Sequence, residues 1–240
     1  MLKYRLLYNV LVCVLKRVSP LRIRKKKWAQ PELDACPYYV AEPERYRGGW
    51  SAFFGNDRPI ELEIGCGKCT FIAQKALQHP DTNFIAVDIK SDMLGVGRRN
   101  IERLFSESGR RIDNIALVTF NVEMIDRLLS DSDRIRAMYI NFCNPWPRKK
   151  HNKRRLTYPR KLMLYRSFLT DDAVICFKTD DDELFCDSIR YFRESGYTVS
   201  HVTYDLHHSD IEDNIMTEHE QMFSTEGIPI KYLEATPAAR

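Results

Sequence analysis

No run of 18 apolar residues occurs in the 240-residue chain, which excludes a membrane-spanning helix. The nearest approach, residues 6–15, is interrupted by Asn9, flanked by Lys3, Arg5, Lys16 and Arg17, and followed by no small-residue cleavage site. It reads as an amphipathic arm, with Leu7, Leu11, Val14, Leu15 and Val18 on one helical face, and not as an export signal. Cysteine is odd in number: seven residues, with one CxxC (Cys66 and Cys69) and no second to complete a four-thiolate zinc site. His207 and His208 likewise lack a second pair at ligand spacing. The expectation is therefore a reduced, cytoplasmic protein without a metal or a membrane anchor. Internal repeats and low-complexity segments are absent too.

Acidic residues are missing from two stretches. Residues 1–27 hold nine Lys or Arg and no acid, and residues 148–161 hold eight more and no acid. The other 199 residues carry 20 basic against 33 acidic side chains, a net of −13, although the whole chain is +4. An acidic body wearing two cationic strips suits a polyanionic partner.

What the chain has in quantity is apolar residues, 44% of it, enough for a real core. Short strand-like runs at 60–64, 83–88, 115–120, 136–142 and 173–178 alternate with helical spacing at 70–77, 92–105, 158–169 and 182–194. Late strands are expected at 197–204 and 228–234, with a polar stretch at 205–226 between them. This alternation predicts an α/β fold, a doubly wound parallel sheet with helices on both faces.

Ligands in such sheets collect at the carboxyl ends of the strands. Those ends here are Glu63 with Gly65 and Gly67, then Asp88, Asn121, Asn144 and Asp180. Two glycines let the backbone turn tightly beside a ligand, while Glu63 would repel a pyrophosphate and accept from an ammonium. A dinucleotide fingerprint would want a third glycine where Thr70 stands. Asp88 is placed to accept both hydroxyls of a ribose and Asn121 to pair with an adenine edge. The set favours an amino-acid-bearing nucleoside cofactor.

Asn144-Pro145-Trp146-Pro147 is a rigid turn offering an amide and a flat face, a natural seat for a planar heterocycle, or a structural turn with Trp146 as a plug. Beside it run Arg148, Lys149, Lys150, His151, Asn152, Lys153, Arg154 and Arg155, six cations in eight residues, which suit an RNA backbone or alternatively a solvated loop. Thr217-Glu218-His219-Glu220 adds two carboxylates able to accept from the N1–H and N2–H of a guanine, or alternatively a plain acidic surface turn.

These residues resemble one family closely, the bacterial tRNA (guanine-N7-)-methyltransferases. The resemblance covers residues 22 to about 236. It rests on Arg22-Ile23-Arg24 with Trp28, Trp50 to Asn56, Glu63-Ile64-Gly65-Cys66-Gly67-Lys68, Asn141-Phe142-Cys143-Asn144-Pro145-Trp146-Pro147, the run from His151 to Leu156, Lys178-Thr179-Asp180 and Thr217-Glu218-His219-Glu220. It implies the Rossmann-like class I methyltransferase fold with a mostly parallel seven-stranded sheet. It also implies S-adenosylmethionine as methyl donor and N7 of guanine 46, in the tRNA variable loop, as acceptor. By this resemblance Glu63, Asp88, Asn121 and Asn144 contact the cofactor, with Gly65 and Gly67 in its loop, and Asn144 stands at the catalytic position. Arg148, Asp180, Thr217, Glu218, His219 and Glu220 fall on substrate positions, and Lys150, His151, Asn152, Lys153, Arg154 and Arg155 on the RNA-contact strip.

Three positions depart from the family pattern: Asn144 replaces its aspartate, Cys69 a glycine and His219 a tyrosine. Because guanine N7 carries a lone pair and no proton, activity with Asn144 is expected; a weakened tRNA-binding homologue is the alternative. A nicotinamide-dependent oxidoreductase is disfavoured by Glu63, Thr70 and the cationic loop. Leu21 stands where the family's opening methionine would be, so translation is expected to start near it, leaving residues 1–21 as an extension of a single domain over 22–240. Monomer and homodimer both remain open.

Overall fold

The computed structural model describes residues 25–238. The predicted arm at 6–15, the arginines at 22 and 24, and the question of the start near Leu21 lie outside the described residues.

Seven strands, β1 (Ile60–Ile64), β2 (Asn83–Asp88), β3 (Ile115–Thr119), β4 (Ile135–Asn141), β5 (Leu169–Thr179), β6 (Tyr197–Thr203) and β7 (Lys231–Pro237), form one sheet in the order β3-β2-β1-β4-β5-β7-β6. The first five are mutually parallel, and β7 runs antiparallel to both β5 and β6. The helices are α1 (Ala29–Asp34), α2 (Trp50–Phe54), α3 (Thr70–Gln78), α4 (Ser91–Ser108), α5 (Pro159–Tyr165), α6 (Asp182–Glu194) and α7 (Glu218–Thr225), with a 3-10 turn at Lys149–Arg154.

The strand period of two divides the core. Ile85 and Val87 of β2 point to a face shared with Leu62, Ile64, Leu184, Phe185 and Phe192, so α6 packs there. Phe84 and Ala86, from the same strand, point the other way, onto Phe71, Ile72, Leu94 and Ile101 of α3 and α4. Both faces are covered, which is why β2 and β3 read as nearly unbroken apolar runs, while β1 alternates Ile60, Leu62 and Ile64 with Glu61 and Glu63.

The ends of the elements are set by local chemistry. Asp181 caps α6 by accepting from the Leu184 N–H at 2.7 Å, and Thr217 with Glu220 forms a reciprocal capping box on α7. Gly97 lets α4 approach the loop before α3: a Cβ there would sit 2.5 Å from the Cys69 Sγ. That closeness accommodates Cys69, a non-glycine residue held at φ 58°. Strand β7 starts at Lys231, three residues later than the sequence suggests, and the predicted helix at 158–169 is only Pro159–Tyr165, followed by a longer β5.

Candidate active site

Parallel registry brings the carboxyl ends of β1, β2, β4 and β5 to one edge, with Asp88 opposite Thr119 and Asn141 opposite Lys178. A cavity of about 340 Å³ opens there between the loop after β1 and the start of α7. Glu63, Gly65, Gly67, Thr217, Glu218 and His219 line it together, although Thr217 comes 150 positions after Gly67 in sequence.

Glu63 is buried, and its Oε1 accepts from the Asn141 amide at 3.0 Å. Its Oε2 is also buried, with no hydrogen-bond partner among the described residues. Burial pushes its pKa up to about 7 against the opposing effects of the Asn141 hydrogen bond and the Lys178 ammonium. A carboxylate with one oxygen unpaired in a cavity wall fits a ligand cation, and the α-ammonium of an amino acid is one.

Gly65 and Gly67 adopt φ 76° and 54°, the left-handed turn that their lack of a Cβ permits. Asp88 pins this turn: its Oδ2 accepts from the Gly67 N–H at 2.9 Å and its Oδ1 from the Lys90 N–H at 2.8 Å. Each oxygen keeps a further lone pair for a hydroxyl. Asn121 caps the turn after β3 by accepting from the Glu123 N–H at 3.0 Å, which leaves its amide N–H groups as donors. Asn144 does the same, accepting from the Trp146 N–H at 3.0 Å. Asp88, Asn121, Asn144, Arg148 and Asp180 share this edge of the sheet without lining the cavity. Asp180 follows β5, and its carbonyl accepts from Lys231 Nζ at 2.9 Å.

Lys68 Nζ reaches Glu218 at 2.7 Å, linking the glycine loop to α7. The His219 ring lies nearly parallel to Phe142, centroids 5.9 Å apart at 18°. Beyond them the 3-10 turn exposes Lys149, Lys150, Lys153 and Arg154, with His151 and Asn152 half-buried. Trp146 is held between the Arg154 guanidinium, 5.0 Å over its ring, and the edge of His151 at 5.8 Å. Cys66 and Cys69 are buried free thiols with Sγ atoms 3.7 Å apart. Among the described residues, no three His, Cys, Asp or Glu side chains group as metal ligands, and no helix is long and apolar enough to cross a membrane.

A family model described as "Putative methyltransferase" matches residues 57–233. The chain is 53% identical over 215 residues to the tRNA (guanine-N(7)-)-methyltransferase of Clostridium beijerinckii, covering 90% of this chain and 98% of the relative. The chain belongs to the tRNA (guanine-N7)-methyltransferase family. Members from Clostridium perfringens (strain SM101) and Acetivibrio thermocellus are 50% and 47% identical, each covering 90% of this chain and 99% of the relative. Among solved structures, an antibiotic-related methyltransferase superposes with a TM-score of 0.57 at 13% identity, covering 79% of this chain and 92% of its own. A 16S rRNA (adenine(1408)-N(1))-methyltransferase from Catenulisporales acidiphilia, described with cosubstrate SAM, gives 0.53 at 12% identity, covering 82% and 92%. Those two likenesses carry the class I methyltransferase fold.

Two residues of this family member sit differently from the sequence expectation. Glu220, expected beside Glu218 as a guanine acceptor, is fully buried. It pairs with Lys178 Nζ at 3.0 Å and His207 Nε2 at 2.9 Å, accepts from Asn214, and closes the capping box of α7. Burial raises its pKa, but the Lys178 ammonium and the bonds from Asn214 and His207 more than offset this and keep it ionised. Glu220 is thus the hub that orients α7, leaving Glu218 as the acidic residue of α7 in the cavity wall. Arg155, expected on the RNA strip, is also fully buried, because its guanidinium is taken up by Pro145, Asp187 and Glu183. Asn141, Lys178, Lys68 and Phe142 were legible only as motif letters. Their structural parts depend on strand registry and on the fold of residues 205–226.

Proposed function

We propose that this protein transfers the methyl group of S-adenosylmethionine to N7 of a guanine in tRNA, the guanine at position 46 of the variable loop. The observation that carries the reading is the buried Glu63 with one unpaired oxygen in the cavity wall, in a member of this family. In this reading Glu63 holds the cofactor's ammonium, Asp88 accepts from its ribose hydroxyls, and the Asn121 amide donates to its base.

The bound cofactor supplies an electrophilic methyl on a sulfonium, which leaves as a neutral thioether when N7 attacks. Guanine N7 offers an in-plane lone pair and loses no proton, so the protein's task is alignment and tolerance of the positive charge that the ring gains. Asn144, its Oδ1 committed to Trp146, keeps an amide donor for orientation. Glu218 faces the cavity to accept from the guanine's N1–H and N2–H, once Lys68 releases it. His219, backed by Phe142, offers the base a flat surface. The exposed cations Lys149, Lys150, Lys153 and Arg154 follow the phosphate backbone.

The test is incubation of the purified protein with S-adenosylmethionine and unmodified tRNA, followed by nucleoside mass spectrometry and mapping of the modified position. The expected product is 7-methylguanosine at position 46. Cofactor and tRNA binding with no methylated product would instead establish a binding homologue disabled at Asn144.

A further inference from the structure

The loop after β4 has an improbable backbone. Phe142 and Trp146 adopt φ values of 51° and 45°, the left-handed region that bulky side chains avoid. Such geometry persists only where surrounding contacts over-determine it. One of those contacts comes from the cationic strip itself. Arg155 is fully buried while Lys153 and Arg154 beside it are exposed. Its Nε donates to the Pro145 carbonyl at 2.7 Å, Nη1 to Asp187 Oδ2 at 2.5 Å, and Nη2 to Glu183 Oε1 at 3.1 Å. All three nitrogens of the planar fork are therefore used, and a phosphate could reach it only by displacing two carboxylates.

The far end of the tether is firm. Asp187 and Glu183 stand on α6, whose Leu184, Phe185 and Phe192 are wholly buried in the core. Asp187 is held a second time by Arg190 Nη2 at 2.8 Å. The loop end is held more locally: Asn144 Oδ1 closes a turn on Trp146, and the Trp146 ring is flanked by the Arg154 guanidinium and the His151 ring of the neighbouring turn.

We propose that Arg155 is a positioning residue, tying the Pro145 carbonyl to Glu183 and Asp187 so that the strained loop presents Asn144 toward the reacting atoms. The inference rests on the methyltransferase reading for its catalytic consequence, but not for the tether. Misplacement by about 1 Å costs a displacement of this kind about a hundredfold in rate. Loss of the fork therefore lowers kcat while leaving RNA binding nearly untouched.

The experiment uses the full chain labelled with 5-fluorotryptophan. Trp28, Trp50 and Trp146 give three fluorine resonances, and Trp146→Phe assigns the loop. Arg155→Lys keeps the charge but cannot make the fork. Asp187→Ala tests the tether from the helix side if the arginine variant fails to fold. The expected result in both is a shifted or broadened Trp146 line, with kcat lowered about tenfold to a hundredfold, an unchanged KM for tRNA, and an unchanged dependence of tRNA affinity on salt. A Trp146 line that stays in place in both variants overturns the proposal. So does an Arg155→Lys variant with an unmoved line and a salt slope reduced by about one, the mark of a phosphate contact. If the line moves and kcat does not fall, the tether stands and the catalytic reading of Asn144 fails.

Discussion

Replacing Glu63 with glutamine separates the stability of the fold from its affinity for cofactor, with opposite signs. The carboxyl's pKa lies at about 7 in the folded chain against an ordinary 4.5, mainly because burial disfavours its charge. Below the ordinary value both folded and unfolded chains hold the proton, and the group contributes nothing to the pH dependence. As pH rises toward about 7 the unfolded chain releases a proton that the folded chain retains, so stability falls across that window and levels off above it. A difference of about 2.5 pKa units corresponds to about 3 kcal/mol at most. Glu63→Gln removes the penalty while its carbonyl still accepts from Asn141. Denaturant titration should show the variant more stable than the parent at pH 8, by up to about 3 kcal/mol, with the gain vanishing near pH 4.5. Calorimetric binding should show the reverse. Loss of a charge-assisted bond to the ammonium weakens S-adenosylmethionine by roughly tenfold to a hundredfold. The parent's affinity should tighten as pH rises through about 7, and the variant's should not. A stability gain equal at pH 5 and pH 8, or a variant that binds cofactor like the parent, would refute the reasoning.

Asn144→Asp restores the family residue and should change the single-turnover rate by no more than about tenfold, since N7 yields no proton; a gain beyond about a hundredfold would show that a carboxylate is required. Changing Lys150 and Lys153 together to glutamine should reduce the slope of log affinity for tRNA against log salt by about 1 to 2, and an unchanged slope would remove the strip from the interface. Gly97→Ala presses a methyl onto the Cys69 Sγ and should lower stability by about 1–3 kcal/mol. Adding Cys69→Gly should recover most of that loss in a double-mutant cycle, and two independent effects would contradict the packing of this loop.

The central sheet was legible because its inner strands are buried on both faces and end abruptly on polar residues, as at Glu63, Asp88 and Asn141. The short helices were not. Helices α1, α2 and α7 have only five to eight residues and take their stability from packing and capping, which leaves a weak periodic signal. The letters from Thr217 to Glu220 read as a pair of guanine acceptors or as an acidic turn, and the structure makes Thr217 and Glu220 a capping box instead. Which meaning Glu220 takes depends on Lys178, 42 residues away in sequence and brought beneath α7 by β5. Arg155 illustrates the same limit. Composition groups it with five other cations, and only the placement of α6 shows that its charge faces inward. The placement of Glu63 in the cavity wall was readable because it follows from position alone, near the end of the central strand before two glycines.

The account stands on alkylation of a nitrogen that needs placement and no deprotonation. Its most direct test is the single-turnover rate of methyl transfer, at saturating cofactor and tRNA, in light and in heavy water. With no proton in flight the two rate constants should agree, a ratio of about 1, with 7-methylguanosine as the product; a ratio of about 2 or more would mean that a general base takes part and would contradict the account.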